Sequence, residues 1–191
     1  MCPIREKALK VLLKYGVKEL PVLVSPLCEQ MEFVLRLYKP KDGNEGCCGI
    51  RLGKPRIYVN ENFSPERRRF TTAHEIGHIV LGHVGKYKGG PRKRIKSAKT
   101  IERQANVFAA ELLMPQCLLY ILNVQSVSAV QRIFGVSREA AFYAFMGLQR
   151  RRKAGVRLSK LEKRVCRRFL AEYKFKCQET SDGEQSQQVQ A

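Results

Sequence analysis

The segment His74-Glu75-Ile76-Gly77-His78 is an HExxH motif and holds two of the three histidines of the chain. Residues four positions apart lie on the same face of a helix, so His74 and His78 can direct their imidazoles at one ion. Two imidazoles in this arrangement typically bind Zn²⁺. Glu75 projects about 100° around the helix from His74, where its carboxylate can take a proton from a water that the metal activates. The motif therefore predicts a zinc site in which Glu75 is the general base.

A catalytic zinc site needs a third protein ligand and an open position for water or substrate. His83 is close along the chain, but it lies five residues beyond His78. On a continuing helix this spacing corresponds to about 140°, which turns the side chain away from the His78 face. The elongated motif HExxHxxGxxH also requires glycine and histidine where this chain has Leu81 and Val84. The spacing therefore disfavours His83 and favours a ligand from another element.

The segment TIERQANVFAAELLMP predicts a second helix that could supply this ligand. Thr100 can cap its start, Pro115 follows its end, and its apolar stripe contains Ala105, Phe108, Ala109, Leu112 and Leu113. Glu102 would complete a His₂Glu site, and Asn106, one turn later on the same face, could hydrogen-bond a ligating histidine. Spacing alone leaves two alternatives open. Glu102 could be a solvated acid favoured by the helix dipole in the first turn, and Glu111 could be the ligand instead.

The elements around the motif must hold it in place. Ser64 is a natural N-cap and Pro65 suits the first helical position, so the HExxH helix should begin near residue 65 and run to about Gly82. Gly77, between the histidines, allows another helix or strand to approach closely. Before this helix, residues 4–15 have helical spacing, and FVLRLY, CGIRL and RIYVN predict three short strands of a small antiparallel sheet. An exposed edge of that sheet could hold a substrate backbone.

Two segments together resemble a known family. RRRFTTAHEIGHIVLGH and ERQANVFAAELLMP are similar to the paired helices of the ImmA/IrrE metallopeptidases, whose signatures are RxxFTxAHExGH and ExxANxFAAELLMP. Both signatures in this order are much more specific than HExxH alone. The resemblance is clear over residues 56–116 and weaker over residues 5–150.

The resemblance implies an α+β fold with a minimal zincin-like peptidase core of the gluzincin type. In such a core a small antiparallel sheet, the HExxH helix and the Glu-bearing helix are followed by C-terminal helices. It further implies that His74, His78 and Glu102 bind Zn²⁺ and that Glu75 is the catalytic base. Family members characteristically cleave helix-turn-helix repressors of phage, mobile-element or stress-response genes and so derepress those genes. The implied protein partner is therefore a helix-turn-helix repressor.

Several groups near the motif have roles that the sequence leaves open. Tyr58 and His83 could stabilise an oxyanion, or they could simply satisfy hydrogen bonds in the core. The vicinal Cys47 and Cys48 could be redox-active or bind metal, but two small residues in a Gly-rich hairpin are the simpler interpretation. The basic segment between the HExxH helix and the helix that carries Glu102 contains Gly-Gly-Pro and is predicted to be a surface loop. It is either a charged lid for an acidic substrate or merely solvated.

The C-terminal half is predicted to be helical. Residues 117–149 contain FGVSREAA, which resembles half of a DNA-reading helix-turn-helix, and Ser137 can cap its second helix. A packing module is the favoured interpretation, because that second helix is mostly apolar. Residues 150–176 contain 12 basic and 2 acidic residues and predict a basic amphipathic helix. This helix could contact DNA or a membrane, or dock with a solvated cationic face; residues 178–191 are polar and predicted to be disordered.

Length, composition, cysteine content and net charge indicate the domain organisation, the cellular location and the kind of partner. The length of 191 residues suggests one domain with appendages, and 44% hydrophobic residues are enough for a core. Together with the resemblance, this implies a metallopeptidase core at 1–116, a helical module at 117–149, a basic helix at 150–177 and a tail at 178–191. Seven cysteines without a CxxC pair indicate reduced thiols, and no signal peptide or transmembrane segment is predicted, so we expect a cytoplasmic protein. The net charge of +19 favours acidic partners, such as nucleic acid, an anionic membrane or an acidic protein surface.

Two hypotheses compete with a constitutively active peptidase. In the first, the chain is a DNA-binding or sensor protein in which the zinc site is structural or vestigial. In the second, the chain is a peptidase that its own lid or C-terminal helix locks until a signal arrives. Salt-dependent DNA binding without any cleavage would favour the first of these, and activation by removal of the residues after Gln149 would favour the second.

Overall fold

A computed structural model describes residues 2–39, 45–84 and 98–172 of the chain. The elements in chain order are α1 Pro3–Lys14, α2 Val24–Gln30, β1 Val34–Tyr38, β2 Gly46–Arg51, β3 Lys54–Asn60, α3 Pro65–Val80, α4 Ala98–Leu113, α5 Gln116–Ile121, α6 Val127–Phe134 and α7 Arg138–Lys153. Residues 160–172 form a further helix, α8, which reaches the last described residue. The fold is α+β with a zincin-like core and C-terminal helices, as expected. The short helix α2 lies in a stretch for which no helix was predicted.

The sheet is mixed, so the prediction of an antiparallel sheet is wrong for one of its two strand pairs. The strand order is β1-β3-β2, with β3 antiparallel to β2 and parallel to β1. Strands β2 and β3 form a hairpin around Leu52 and Gly53, whose positive φ angles of 53° and 73° suit a two-residue turn. Strand β1 pairs on the other side of β3, and the register from Val34 opposite Arg56 to Tyr38 opposite Asn60 shows that the two strands run in the same direction. Strand patterns along the chain do not indicate which neighbours will pair.

Helix α3 begins where its cap predicts. The Ser64 hydroxyl accepts a hydrogen bond from the backbone N–H of Arg67 at 3.3 Å, and Pro65 is the first helical residue. The predicted cap of α4 is wrong, because the chain is already helical at Ala98 and Thr100 lies inside the first turn. Alanine and lysine are good helix formers, and they extend the helix past a residue that could have capped it. The apolar stripe predicted for α4 is confirmed, since all five of its residues are buried.

Gly77 allows the closest approach between α3 and α4. A Cβ atom at this position would lie 3.0 Å from Cδ1 of Phe108 and 3.3 Å from the carbonyl oxygen of Ala105. Both distances are shorter than ordinary van der Waals contact, so a side chain at position 77 would push the helices apart. The missing side chain therefore sets the distance between the HExxH helix and the helix that carries Glu102.

The C-terminal helices share their core with the rest of the molecule. One cluster of buried apolar side chains includes Leu9 of α1, Phe108 of α4, Phe134 of α6 and Val165 of α8. The core is thus continuous across the boundary expected at residue 116. The basic stretch from residue 150 is divided rather than one helix, because α7 ends at Lys153 and the chain turns at Gly155, whose φ is 59°. A glycine adopts this left-handed conformation readily and interrupts the helix there.

Two predictions concern residues that the structure does not describe. The basic lid falls mostly on residues 85–97, and the tail predicted to be disordered falls on residues 178–191; both lie outside the described residues.

The six cysteines among the described residues are free thiols. None of the helices described here combines the length and the apolar character that crossing a bilayer requires.

Candidate active site

Three side chains from α3 and α4 meet in one cluster. Nε2 of His74 lies 3.1 Å from Oε2 of Glu102, and Nε2 of His78 lies 3.5 Å from the same oxygen. The two Nε2 atoms are 2.9 Å apart. Each residue offers one possible ligand atom, and these atoms lie within 4.8 Å of one another. The structure thus brings together the three residues that the sequence predicts as metal ligands.

Asn106 orients the ring of His74. Its amide oxygen lies 2.8 Å from Nδ1 of His74. An amide oxygen only accepts hydrogen bonds, so Nδ1 of neutral His74 carries the hydrogen. Nε2 then keeps a free lone pair, and this nitrogen faces Glu102 and His78. The hydrogen bond predicted for Asn106 is therefore present.

His83 and Gln104 orient the ring of His78 in a similar way. Nε2 of His83 lies 3.1 Å from the side-chain oxygen of Gln104, which can only accept a hydrogen bond. Nδ1 of neutral His83 is therefore an acceptor, and it lies 3.2 Å from Nδ1 of His78. The hydrogen in this contact belongs to His78, whose Nε2 keeps its lone pair toward the cluster.

Sequence reasoning missed these two supports of His78. His83 follows Gly82, whose positive φ of 71° turns the chain back after α3, so the spacing on a continuing helix does not apply. The His83 ring is buried and lies outside the three-residue cluster. Gln104 carries no motif signal of its own. The only sequence feature that could have indicated the role of His83 is the glycine directly before it at the end of the helix.

The arrangement of lone pairs in the cluster favours the binding of a cation. In the neutral forms of both histidines, two Nε2 lone pairs and a carboxylate oxygen converge without a hydrogen between them, and such atoms repel one another. Burial lowers the pKa of His78, His74 lowers it further, and Glu102 only partly opposes this. The neutral form, which is the form that binds metal, is therefore favoured. Two imidazole nitrogens and one carboxylate oxygen are a donor set that fits Zn²⁺.

The cluster is open to solvent on the side of α4. The Glu102 side chain is 56% exposed, whereas those of His74 and His78 are 15% and 12% exposed. A catalytic metal site needs such access, because water and substrate must reach the metal, while structural sites are closed by protein ligands. The position of Glu102 at the rim thus provides an open side next to two firmly held histidines.

Glu75 is buried between α3 and strand β2. Its carboxylate accepts a hydrogen bond from the thiol of Cys48, and it lies close to Gly46, where an added Cβ would be 3.6 Å from Oε1. Burial raises the pKa of Glu75, although the Cys48 hydrogen bond and His74 act in the opposite direction. Burial and Glu75 raise the pKa of Cys48, which therefore remains a protonated donor. A carboxylate with a raised pKa suits a general base.

Glu111, the alternative metal ligand, and Tyr58, a possible oxyanion stabiliser, lie away from the cluster. Glu111 is nine residues beyond Glu102 and so lies on the opposite side of α4. It is buried 3.7 Å from Nε of Arg5 and accepts a hydrogen bond from the backbone N–H of Gln116. The ring of Tyr58 packs edge-on against Tyr38 with centroids 6.3 Å apart. In the described part of the chain, no hydrogen bond, ion pair or ring contact joins either residue to the cluster.

The vicinal cysteines face different surroundings. Cys48 contacts Glu75, whereas Cys47 is exposed, as expected for neighbours in a strand whose side chains alternate between the two faces. Both lie in β2 opposite β3, which agrees with the hairpin interpretation. The strand thus presents Gly46 and Cys48 to α3, and a Cβ at Gly46 would come within 2.6 Å of Cγ2 of Thr71. The absence of a side chain at Gly46 lets β2 lie directly beside the buried carboxylate.

Comparison with known proteins agrees with this geometry. The family model described as IrrE N-terminal-like domain, Peptidase_M78, matches residues 30–146. No curated protein sequence matches the chain. The family match covers more than half of the 191 residues and includes α3, α4 and every residue of the cluster. The chain therefore belongs to the IrrE N-terminal-like family of metallopeptidases, as its resemblance to ImmA/IrrE proteins implies.

Proposed function

We propose that the protein is a zinc-dependent endopeptidase that cleaves a helix-turn-helix transcriptional repressor and thereby derepresses genes. The observation that carries the proposal is the convergence of His74, His78 and Glu102 beside a buried carboxylate, with access from solvent. Membership of a metallopeptidase family supports the reaction class. The repressor as substrate rests on the resemblance to ImmA/IrrE proteins.

In this proposal His74, His78 and Glu102 hold Zn²⁺, and Glu75 exchanges protons with the reactants. A bound zinc ion would supply a Lewis acid that acidifies water and polarises the scissile carbonyl. Glu75 accepts a proton from the attacking water and later donates it to the leaving amine. Asn106 and His83 hold the two histidine rings so that both Nε2 lone pairs stay directed at one point.

Strand β2 offers a place for the substrate backbone. It is an edge strand of the described sheet, and its residues Gly46 and Cys48 lie against the helix that carries Glu75. An extended peptide can add to such an edge through main-chain hydrogen bonds, which gives affinity without requiring one sequence. A segment bound there would run beside the general base. This placement supports an endopeptidase that acts on an extended or locally unfolded part of its substrate.

Incubation of the zinc-loaded protein with the repressor encoded nearest its own gene tests the proposal. We expect discrete repressor fragments, identified by mass spectrometry, and no fragments after the metal is removed with a chelator. Glu75→Gln keeps the side-chain volume but removes the base, so this variant should bind zinc and leave the repressor intact. Cleavage by Glu75→Gln would contradict the role of Glu75. Intact repressor in every assay with zinc-loaded protein would favour a structural zinc site in a DNA-binding or sensor protein.

A further inference from the structure

Helix α8 has a buried side and a cationic side. Its buried side chains are Glu162, Val165, Cys166 and Phe169, and they attach the helix to the core. Its exposed side chains include Lys160, Lys163, Arg164 and Arg167. These four residues follow one another at helical spacings of three and four, so they form a single stripe along the solvent side. We call this stripe the α8 cationic face.

Acidic residues of the same helix do not neutralise this face. Glu162 is turned inward, where it accepts two hydrogen bonds from the guanidinium of Arg151 and one from the backbone N–H of Ser159. Glu172 pairs with Lys18 at 2.9 Å. Across residues 2–39, 45–84 and 98–172, no ion pair involves a residue of the α8 cationic face. Like charges at these spacings repel, so the face favours an anionic partner.

The packing of α8 discriminates between anionic partners. A basic amphipathic helix binds a membrane by inserting its apolar side, but here Val165 and Phe169 are already buried in the core. Proteins that bind single-stranded nucleic acid stack bases on exposed aromatic rings, and Phe169, the aromatic residue of the described α8, is buried. The exposed side of α8 is therefore a row of positive charges. The row runs from Lys160 to Arg167 and is about 10 Å long at a helical rise of about 1.5 Å per residue. This row matches the closely spaced phosphates of a duplex.

We propose that the α8 cationic face binds the phosphate backbone of duplex DNA. Contacts to phosphates fix position but do not read sequence, so binding should be independent of base sequence. Such a contact would hold the protein close to DNA-bound proteins. The inference stands on the charge and burial of α8 alone, and it holds whether or not the chain is a peptidase.

Salt dependence of binding tests the proposal on the full chain. The probe is a fluorescent mixed-sequence DNA duplex of about 20 base pairs, and fluorescence anisotropy gives Kd across a range of salt concentrations. About four phosphate contacts predict a slope of log K against log salt near −3.6, or roughly a hundredfold weakening for a fourfold rise in salt. A salt-independent Kd, or no binding at low salt, would overturn the proposal.

Two variants with the same change in net charge distinguish the effect of the α8 cationic face on DNA binding from the effect of overall charge. Lys163→Glu with Arg167→Glu removes the middle and end of the face. The control, Arg51→Glu with Lys54→Glu, makes the same change in net charge at the two exposed residues that flank the β2–β3 hairpin turn. We expect the first variant to bind at least about tenfold more weakly and with about half the slope, and the control to bind like the parent. Equal losses in both variants, or no loss in the first, would reject a specific role of α8.

Two further measurements keep this test decisive. Circular dichroism checks the fold of each variant, and the milder Lys163→Gln with Arg167→Gln replaces the first variant if the glutamates unfold the protein. Vesicles with and without an anionic lipid serve as the competing surface. We expect weaker association with the vesicles than with DNA at the same salt concentration, because the apolar side of α8 is buried. Stronger association with the vesicles would identify a membrane as the partner and overturn the proposal.

Discussion

Asn106 and Glu102 extend from the same face of α4, and the Asn106 oxygen lies 2.8 Å from Nδ1 of His74 while Glu102 lies 3.1 Å from Nε2 of that ring. Both edges of the His74 imidazole are therefore held by one helix. A shift of α4 would alter the ligand set and the orientation of a ligand at once. The site thus depends on how α4 packs against α3, as well as on the HExxH motif itself.

The Asn106 contact can be tested by metal binding. Asn106→Ala removes the acceptor that keeps the hydrogen on Nδ1 of His74, so zinc affinity should fall about 10- to 100-fold. Asn106→Asp retains an acceptor of the same shape and should keep most of the affinity. Competition with a zinc-binding dye measures both variants. Equal affinity of the alanine variant and the parent protein would contradict the orienting role.

The chain from Gln104 through His83 to His78 predicts a second effect on metal binding. His83→Leu removes the acceptor for the Nδ1 hydrogen of His78, and zinc affinity should again fall by about tenfold or more. Gln104→Glu keeps an acceptor for Nε2 of His83 and serves as the control. Nitrogen-15 NMR of the metal-free protein reports the tautomer directly. In the parent protein it should show His78 protonated on Nδ1, and His83→Leu should weaken that preference.

Gly77 should be sensitive to the smallest possible side chain. Gly77→Ala places a methyl group 3.0 Å from the Phe108 ring, so we expect a loss of about 1–3 kcal/mol in the free energy of unfolding and weaker zinc binding. Gly49→Ala makes the same change in strand β2, where an added Cβ would meet no atom within 4 Å. The control should therefore unfold at nearly the parent denaturant concentration. If the two variants behave alike, close packing at Gly77 does not set the helix spacing.

Glu111 predicts a pH dependence of stability that is separate from the metal site. Burial raises its pKa from 4.5 to about 7, although Arg5 and the Gln116 N–H oppose the shift. The folded state therefore binds the proton more tightly than the unfolded state does. This contribution to stability is fully present below pH 4.5 and is lost as the pH rises through about 7.

Glu111→Gln removes this titration while keeping a similar shape. The parent protein should lose stability relative to the variant between about pH 4.5 and pH 8, by as much as about 3 kcal/mol. Denaturant unfolding of both proteins at several pH values, without zinc, measures the difference. Parallel stability curves for the two proteins would show that Glu111 does not titrate in this range.

Local interactions determine much of this site, and for that reason the sequence predicts it. The Ser64 cap and Pro65 define the start of α3, and helix geometry alone places His74 and His78 on one face. The stripe of small and apolar residues on α4 likewise predicts which side of that helix is buried. These features depend on residues that are close along the chain, so no knowledge of distant contacts is needed.

Tertiary packing decided what spacing left open. Glu102 meets the histidines, and Glu111 does not, because burial of the apolar stripe of α4 fixes the rotation of that helix against Gly77. The support of His78 by His83 depends on the turn at Gly82, and the parallel pairing of β1 with β3 depends on which strands become neighbours. Each of these outcomes follows from contacts between segments that are far apart along the chain or reoriented by a turn. Residue spacing carries no information about such contacts until the core has formed.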